Sequence, residues 1–179
     1  MMDLIENYDV KLVRLTEDKI ELVRCWRNDP KISQFMEYKD YITEEMQKEW
    51  FLKINNSFNL YYIIIFEGEE IGLINIKDIN KEGKSGESGV FIYSDKYLNS
   101  DISYRAHLCL FDYIFIDLGF NELHAHVLES NKRASRLTEF IGYKQISEKT
   151  FSLQKEDYLN NKNRARFIKK YNYMKSRTK

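Results

Sequence analysis

GESGVFIYSDKYLNSDISYRAHLCLFDYIF, from Gly86 to Phe115, and ELHAHVLESNKRASRLTEFIGY, from Glu122 to Tyr143, together decide the fold of this chain. The apolar run Gly89–Ser94 predicts a strand, and the polar, glycine-free segment after it a loop. Helical spacing then runs from Ile102 to Leu118, closed by Gly119. A strand over Leu123–Leu128 follows, and a helix over Lys132–Ile141 that Gly142 ends in a left-handed conformation. Strand, loop and helix in that order leave the first amides of the helix unbonded beside the strand end, which is how a protein holds phosphate without a metal.

On the N-terminal side, Val10, Leu12, Val13 and Leu15 predict an opening strand, and Thr16 or Asp18 can cap a helix over Lys19–Arg27 with the stripe Ile20, Leu22, Val23 and Trp26. Asn28-Asp29-Pro30 stops that helix, and the only proline of the chain can start a short second one through Ile32, Phe35 and Met36. Thr43-Glu44-Glu45-Met46 opens a third, with Met46, Trp50 and Ile54 on one face. NLYYIIIFE, a turn at Glu67-Gly68-Glu69 and IGLINIKDI read as a hairpin, joined to the next strand by a charged connection over Lys81–Gly86. Two last strands are expected near Tyr143–Leu153 and Arg166–Met174. The order β, αα, βββ, α, β, α, ββ has no repeat and no linker, so residues 1–179 are read as one domain.

Twenty-eight basic and 28 acidic residues balance, so no global field draws the chain to nucleic acid or membrane. The start MMDLIENYDVKLVRL has acids before any apolar run, and no later run approaches the ~20 apolar residues of a membrane span. A cytoplasmic protein is expected. Cys25 and Cys109 lie far apart, without a CxxC pattern, and are expected to be buried thiols. His124 and His126 share one strand face but have no third ligand, so no metal is expected. The tail from Asn161 to Lys179 carries eight basic residues and no acid, which could attract an acidic partner, although the overall balance speaks against nucleic acid.

Val127-x-x-x-Asn131-x-x-Ala134 with Gly142-Tyr143, Trp26-Arg27-Asn28-Asp29-Pro30, and Ile42-Thr43-Glu44-Glu45 with Trp50 resemble the GNAT superfamily of N-acetyltransferases. Within it they resemble the branch of ribosomal-protein and flagellin amino-sugar enzymes. The resemblance implies an α/β fold, a mixed central sheet of about seven strands flanked by helices, in a monomer or homodimer. It implies acetyl-coenzyme A (acetyl-CoA) as co-substrate and, as acceptor, the primary amine of a small molecule such as an amino sugar, or of a protein N-terminus.

Carried over residue by residue, the resemblance places the cofactor loop at Leu98, Asn99, Ser100, Asp101, Ile102 and Ser103. The thioester carbonyl falls on a backbone amide near Ile92 or Tyr93, and the pantetheine arm on Asn131 and Ala134. Asn131 is equally a good helix cap. Glu87 matches a glutamate that takes the ammonium proton. Thr138 stands where relatives carry a tyrosine acid, a role its hydroxyl cannot fill. Arg27, Phe35, Met36, Tyr38 and Trp50 flank the acceptor cleft.

The loop departs from the family at Leu98, usually Arg or Gln, and at Asp101 and Ser103, usually small and glycine-rich. A side chain at positive φ costs on the order of 1 kcal/mol. A carboxylate ~5 Å from a phosphate charge costs roughly 3 kcal/mol at an effective dielectric of ~20. Asp101 can therefore face the ligand and oppose it, or turn outward as the cap of the helix. Ser100 and Ser103 could donate to phosphate, and Lys96, Arg105, Lys132 or Arg133 could offset the charge. The alternative to an enzyme is a degenerate domain that has lost the cofactor and serves as an interaction module.

Overall fold

The computed structural model describes residues 2–177. Eight strands form one sheet in the order β1-β2-β3-β4-β5-β6-β8-β7. They are β1 (Leu4–Asn7), β2 (Val10–Arg14), β3 (Leu60–Phe66), β4 (Glu69–Asn80), β5 (Ser85–Ile92), β6 (Glu122–His126), β7 (Lys144–Gln145) and β8 (Thr150–Gln154). Helices α1 (Ile20–Asn28), α2 (Pro30–Ser33) and α3 (Glu44–Ile54) lie between β2 and β3, and α4 (Ile102–Asp112) between β5 and β6. The chain continues with α5 (Lys132–Ile141) before β7, and α6 (Lys155–Leu159) and α7 (Lys162–Arg177) after β8. Among the described residues no helix is long and apolar enough to cross a membrane.

All neighbours pair antiparallel except β5 and β6, whose parallel register joins Ser85–Ser88 to Glu122–Ala125. A parallel joint needs a crossover, and α4, prolonged by a π-helical turn over Tyr113–Asp117, supplies it. Alternation along β3 and β4 sends side chains into two cores. Tyr61, Ile63 and Leu73 pack with Val23, Trp26 and Phe51 of α1 and α3. On the opposite face Tyr62, Ile64, Ile74 and Ile76 pack with Leu108, Phe111 and Phe115. The β5–β6 joint lies between these two helical layers, so each face of the joint has its own surroundings.

Several elements differ from expectation. The segment Arg166–Met174, read as a strand from its aromatics, lies within α7. Asn161 Oδ1 accepts from the Asn163 and Arg164 amides (2.8 and 3.0 Å) and so caps the helix, while Phe167 and Tyr171, four apart, stack at 6.1 Å between centroids. An unexpected first strand hairpins onto β2 through Tyr8 and Asp9, both at positive φ (55° and 63°), in a turn with no glycine to announce it. The stretch after Tyr143 divides into β7 and β8, and β5 starts at Ser85, inside the segment read as a connection. Helix α3 buries Gln47 and Phe51, with Trp50 and Ile54 half-buried and Met46 exposed. Cys109 is buried, but Cys25 is exposed.

Candidate active site

Past Ser88 and Ala125 the register of β5 and β6 ends and the strands part. The Ser88 hydroxyl spans the point of separation, donating to the His124 carbonyl (3.1 Å) and meeting the buried Tyr143 hydroxyl at 2.6 Å. Tyr93 N–H donates to Ile71 O (2.7 Å), which sets the phase of the β4–β5 ladder. By antiparallel alternation the Val90 and Ile92 amides point the other way, into the gap. Of the two amides expected to meet a thioester carbonyl, Tyr93 is thus committed to the sheet and Ile92 is not. The Tyr93 ring is held by α1 and α2, stacked on Trp26 at 5.5 Å and hydrogen-bonded to Asp29 at 3.2 Å.

The second wall of the gap begins with Asn131, whose Oδ1 accepts from Ala134 N–H (3.0 Å) and caps α5. The cap leaves its Nδ2 as donor. Thr138 donates to the Ala134 carbonyl (2.8 Å) and is buried, so its only proton is already engaged. Gly142 closes the helix at φ 114°, with Asn161 Nδ2 2.8 Å from where a Cβ would stand.

The loop before α4 is built from local bonds. Leu98 follows a short turn over Asp95–Tyr97 and packs against the core, while Asn99 is exposed. Ser100 Oγ donates to Tyr97 O (2.7 Å) and accepts from Ile102 N–H (3.2 Å). Ser100 therefore caps the helix, not Asp101, whose side chain makes no capping bond. Asp101 has φ −84° and ψ 6°, so the backbone strain feared for a non-glycine residue is absent. Its carboxylate forks onto Arg105, with Nε to Oδ1 at 2.9 Å and Nη2 to Oδ2 at 3.1 Å. Among the described residues the Ser103 and Tyr104 amides have no acceptor and face out of the first turn. Beneath them His107 Nδ1 lies 2.7 Å from Ser103 O, and burial pushes its pKa down to about 4. The ring is neutral at pH 7 and Nδ1–H donates to that carbonyl. Lys96 is drawn off to Glu69 (3.2 Å) and Glu67 (3.5 Å), and Lys132 and Arg133 are exposed. These free amides, with the Asp101 charge already paired, fit a pyrophosphate.

The opposite face of the gap is polar. Lys77, Glu87 and His124 stand in one register row, with Lys77 Nζ 3.0 Å from Glu87 Oε1. Gly89 comes next, where an added Cβ would lie 2.9 Å from Asn75 Oδ1, so a side chain here would displace the Asn75 amide. Arg27, on the last turn of α1, is half-buried above Tyr61, and its buried Nε has no partner. Burial lowers its pKa, and among the described residues no carboxylate pairs with it. Trp50 meets Tyr61 edge-on at 5.2 Å. Phe35 and Tyr38 are exposed on the loop after α2, Met36 is half-buried, and Glu37 reaches across to His126 Nε2 at 3.0 Å. Among the described residues no three His, Cys, Asp or Glu side chains converge as a metal would require. Motif reading overlooked Tyr61, Lys77 and Ser88, since Tyr61 and Lys77 gain their place only from strand register and Ser88 from its contact with Tyr143.

A family model described as the acetyltransferase (GNAT) domain matches residues 9–144. Acetyltransferase PseH of Campylobacter jejuni strain 81-176 is 32% identical over 132 residues, 72% of this chain and 80% of that protein. Among solved structures, spermidine N-acetyltransferase from Vibrio cholerae in complex with CoA and spermine aligns with a TM-score of 0.74 at 18% identity, covering 86% of this chain and 100% of that one. A domain from Methanocaldococcus jannaschii aligns with a TM-score of 0.73 at 19% identity, covering 81% and 97%. At such identities the structures speak for the fold, whereas the family match and the relative reach the sequence itself. This chain belongs to the GNAT acetyltransferase family and is an N-acetyltransferase that uses acetyl-CoA.

Proposed function

We propose that the chain transfers acetyl from acetyl-CoA to the primary amine of an amino sugar carried on an anionic group such as a nucleotide. The observation that carries this reading is the half-buried Arg27 beside the gap, whose buried Nε has no hydrogen-bond partner and which pairs with no carboxylate among the described residues. A partly desolvated charge left unpaired costs stability, and a phosphate or carboxylate on the substrate would relieve it. Half-buried Trp50 and exposed Phe35 and Tyr38 offer apolar faces to a sugar ring. The resemblance of the Trp26–Pro30 and Ile42–Trp50 segments to amino-sugar enzymes points the same way.

Bound acetyl-CoA supplies the thioester that the amine attacks. The Ser103 and Tyr104 amides hold the pyrophosphate, Asn131 Nδ2 donates to the pantetheine arm, and Ile92 N–H donates to the carbonyl oxygen as it gains charge. An amine with pKa near ~10 reaches the site as an ammonium, and Glu87 takes its proton through water. Thr138 takes no part, the thiolate leaves unassisted because a thiol of pKa ~8.5 is a tolerable leaving group, and the second proton shed by the acylated nitrogen passes to water. Release of free thiol on mixing acetyl-CoA with each amine tests the reading. A nucleotide-linked amino sugar is expected to exceed the free amino sugar at least tenfold in kcat/KM, and R27M to abolish that preference. Equal rates for the two sugars, or a preference for spermidine or a peptide N-terminus, would sink it.

A further inference from the structure

We propose that Arg105 is a positioning residue for coenzyme A, holding the Asp101 carboxylate against the flank of α4 so that the glycine-free loop stays open to the pyrophosphate. At φ −84° Asp101 needs no glycine conformation, so what its side chain brings to the loop is charge. Both carboxylate oxygens are engaged by the guanidinium fork, Nε at 2.9 Å and Nη2 at 3.1 Å. Arg105 lies four residues further along the helix. The fork therefore draws the carboxylate back along α4, away from the open end where the Ser103 and Tyr104 amides stand.

Arg105 is itself fixed from the other side. Its Nη1 lies 3.4 Å from Asp9 Oδ2 in the β1–β2 turn, and its guanidinium sits 5.8 Å from the centroid of Phe167 on α7. Asp9 in turn accepts from the Tyr171 hydroxyl (3.2 Å) and pairs with Lys175, both on α7. Asp101, Arg105, Asp9 and Lys175 form a row of alternating charge, with Arg105 the most enclosed of them at 17% side-chain exposure. Lysine, a point charge without the fork, would hold one oxygen and not the plane of the carboxylate.

A double-mutant cycle read by calorimetric titration with coenzyme A tests this, and the acceptor does not enter. R105Q is expected to weaken binding by about tenfold to a hundredfold, the effect of one unmasked carboxylate near a phosphate. D101N alone stays within about threefold of the parent, and D101N/R105Q returns to within about threefold as well. R105M serves in place of R105Q should the glutamine variant not fold. Pantetheine, which has no phosphate, should bind all four proteins alike. Unchanged coenzyme A affinity in R105Q overturns the proposal. So does a double variant as weak as R105Q, which would make the guanidinium a direct phosphate ligand.

Discussion

The two sides of the β5–β6 gap are built on opposite terms. On the cofactor side the charge at the loop is answered within the chain: Asp101 by Arg105 and the Ser103 carbonyl by a neutral His107. On the acceptor side Arg27 is half-buried with no acid partner among the described residues, and aromatic rings stand exposed on the loop after α2. A site for a fixed cofactor can be completed in advance, whereas a site for a particular acceptor keeps an unsatisfied group that the acceptor itself completes. The difference teaches where to look for specificity: among the unpaired groups.

Acid is expected to break the cofactor side first. His107 is buried with a pKa of about 4, below its unfolded value near 6.5, so the unfolded chain binds the extra proton between those values. The stability this contributes is present above pH 6.5 and lost as pH falls toward 4, about 3 kcal/mol in all. Urea denaturation at pH 7 and pH 4 measures it, and H107Q should flatten that part of the profile.

Next in size is E87Q, expected to lower kcat about a hundredfold at pH 7 while leaving coenzyme A affinity unchanged. A parallel loss of cofactor binding would erase the boundary between the two sides. R27M sharpens the contrast further because its two effects oppose each other: acceptor KM should rise about tenfold while stability rises by about 1 kcal/mol, since a partly desolvated, unpaired charge is removed. Thermal melts with and without acceptor separate the two. Smallest is Y143F, which removes one hydroxyl from the Ser88 bridge; a cost of about 1 kcal/mol in urea denaturation is expected, with Ser88 still bonded to His124.

Much of this architecture is legible in the chain because local rules carry it. Helix α5 occupies the Lys132–Ile141 expected from its spacing and from Asn131 and Gly142 at its ends, and Pro30 opens α2 with Asp29 capping it. The β3–β4 hairpin turns at Glu67 and Gly68 as its composition suggests. The tail reads as a strand in the sequence and folds as a helix because Phe167, Ile168 and Tyr171 satisfy strand propensity and helical spacing alike. What separates them is Asn161 as a cap and a docking face on Tyr8 and Tyr104. The turn at Tyr8-Asp9 was invisible for a similar reason: its positive φ values are imposed by strand pairing, and neither residue is glycine.

At the site the division is sharper. Sequence alone determined that a strand end and a helix N-terminus meet, because periodicity and capping chemistry act over a few residues and are written in order along the chain. It also named Arg105, along with three other cations, as able to offset the charge at the loop. Only the tertiary structure decided that Arg105 holds the Asp101 carboxylate, that Ser100 caps in its place, and that Arg27 has no acid partner among the described residues. The fork and the cap join residues two to four apart, but Asp9 and Phe167, distant in sequence, fix Arg105 from its other side, and whether a carboxylate comes within reach of Arg27 depends on how the sheet and its helices pack.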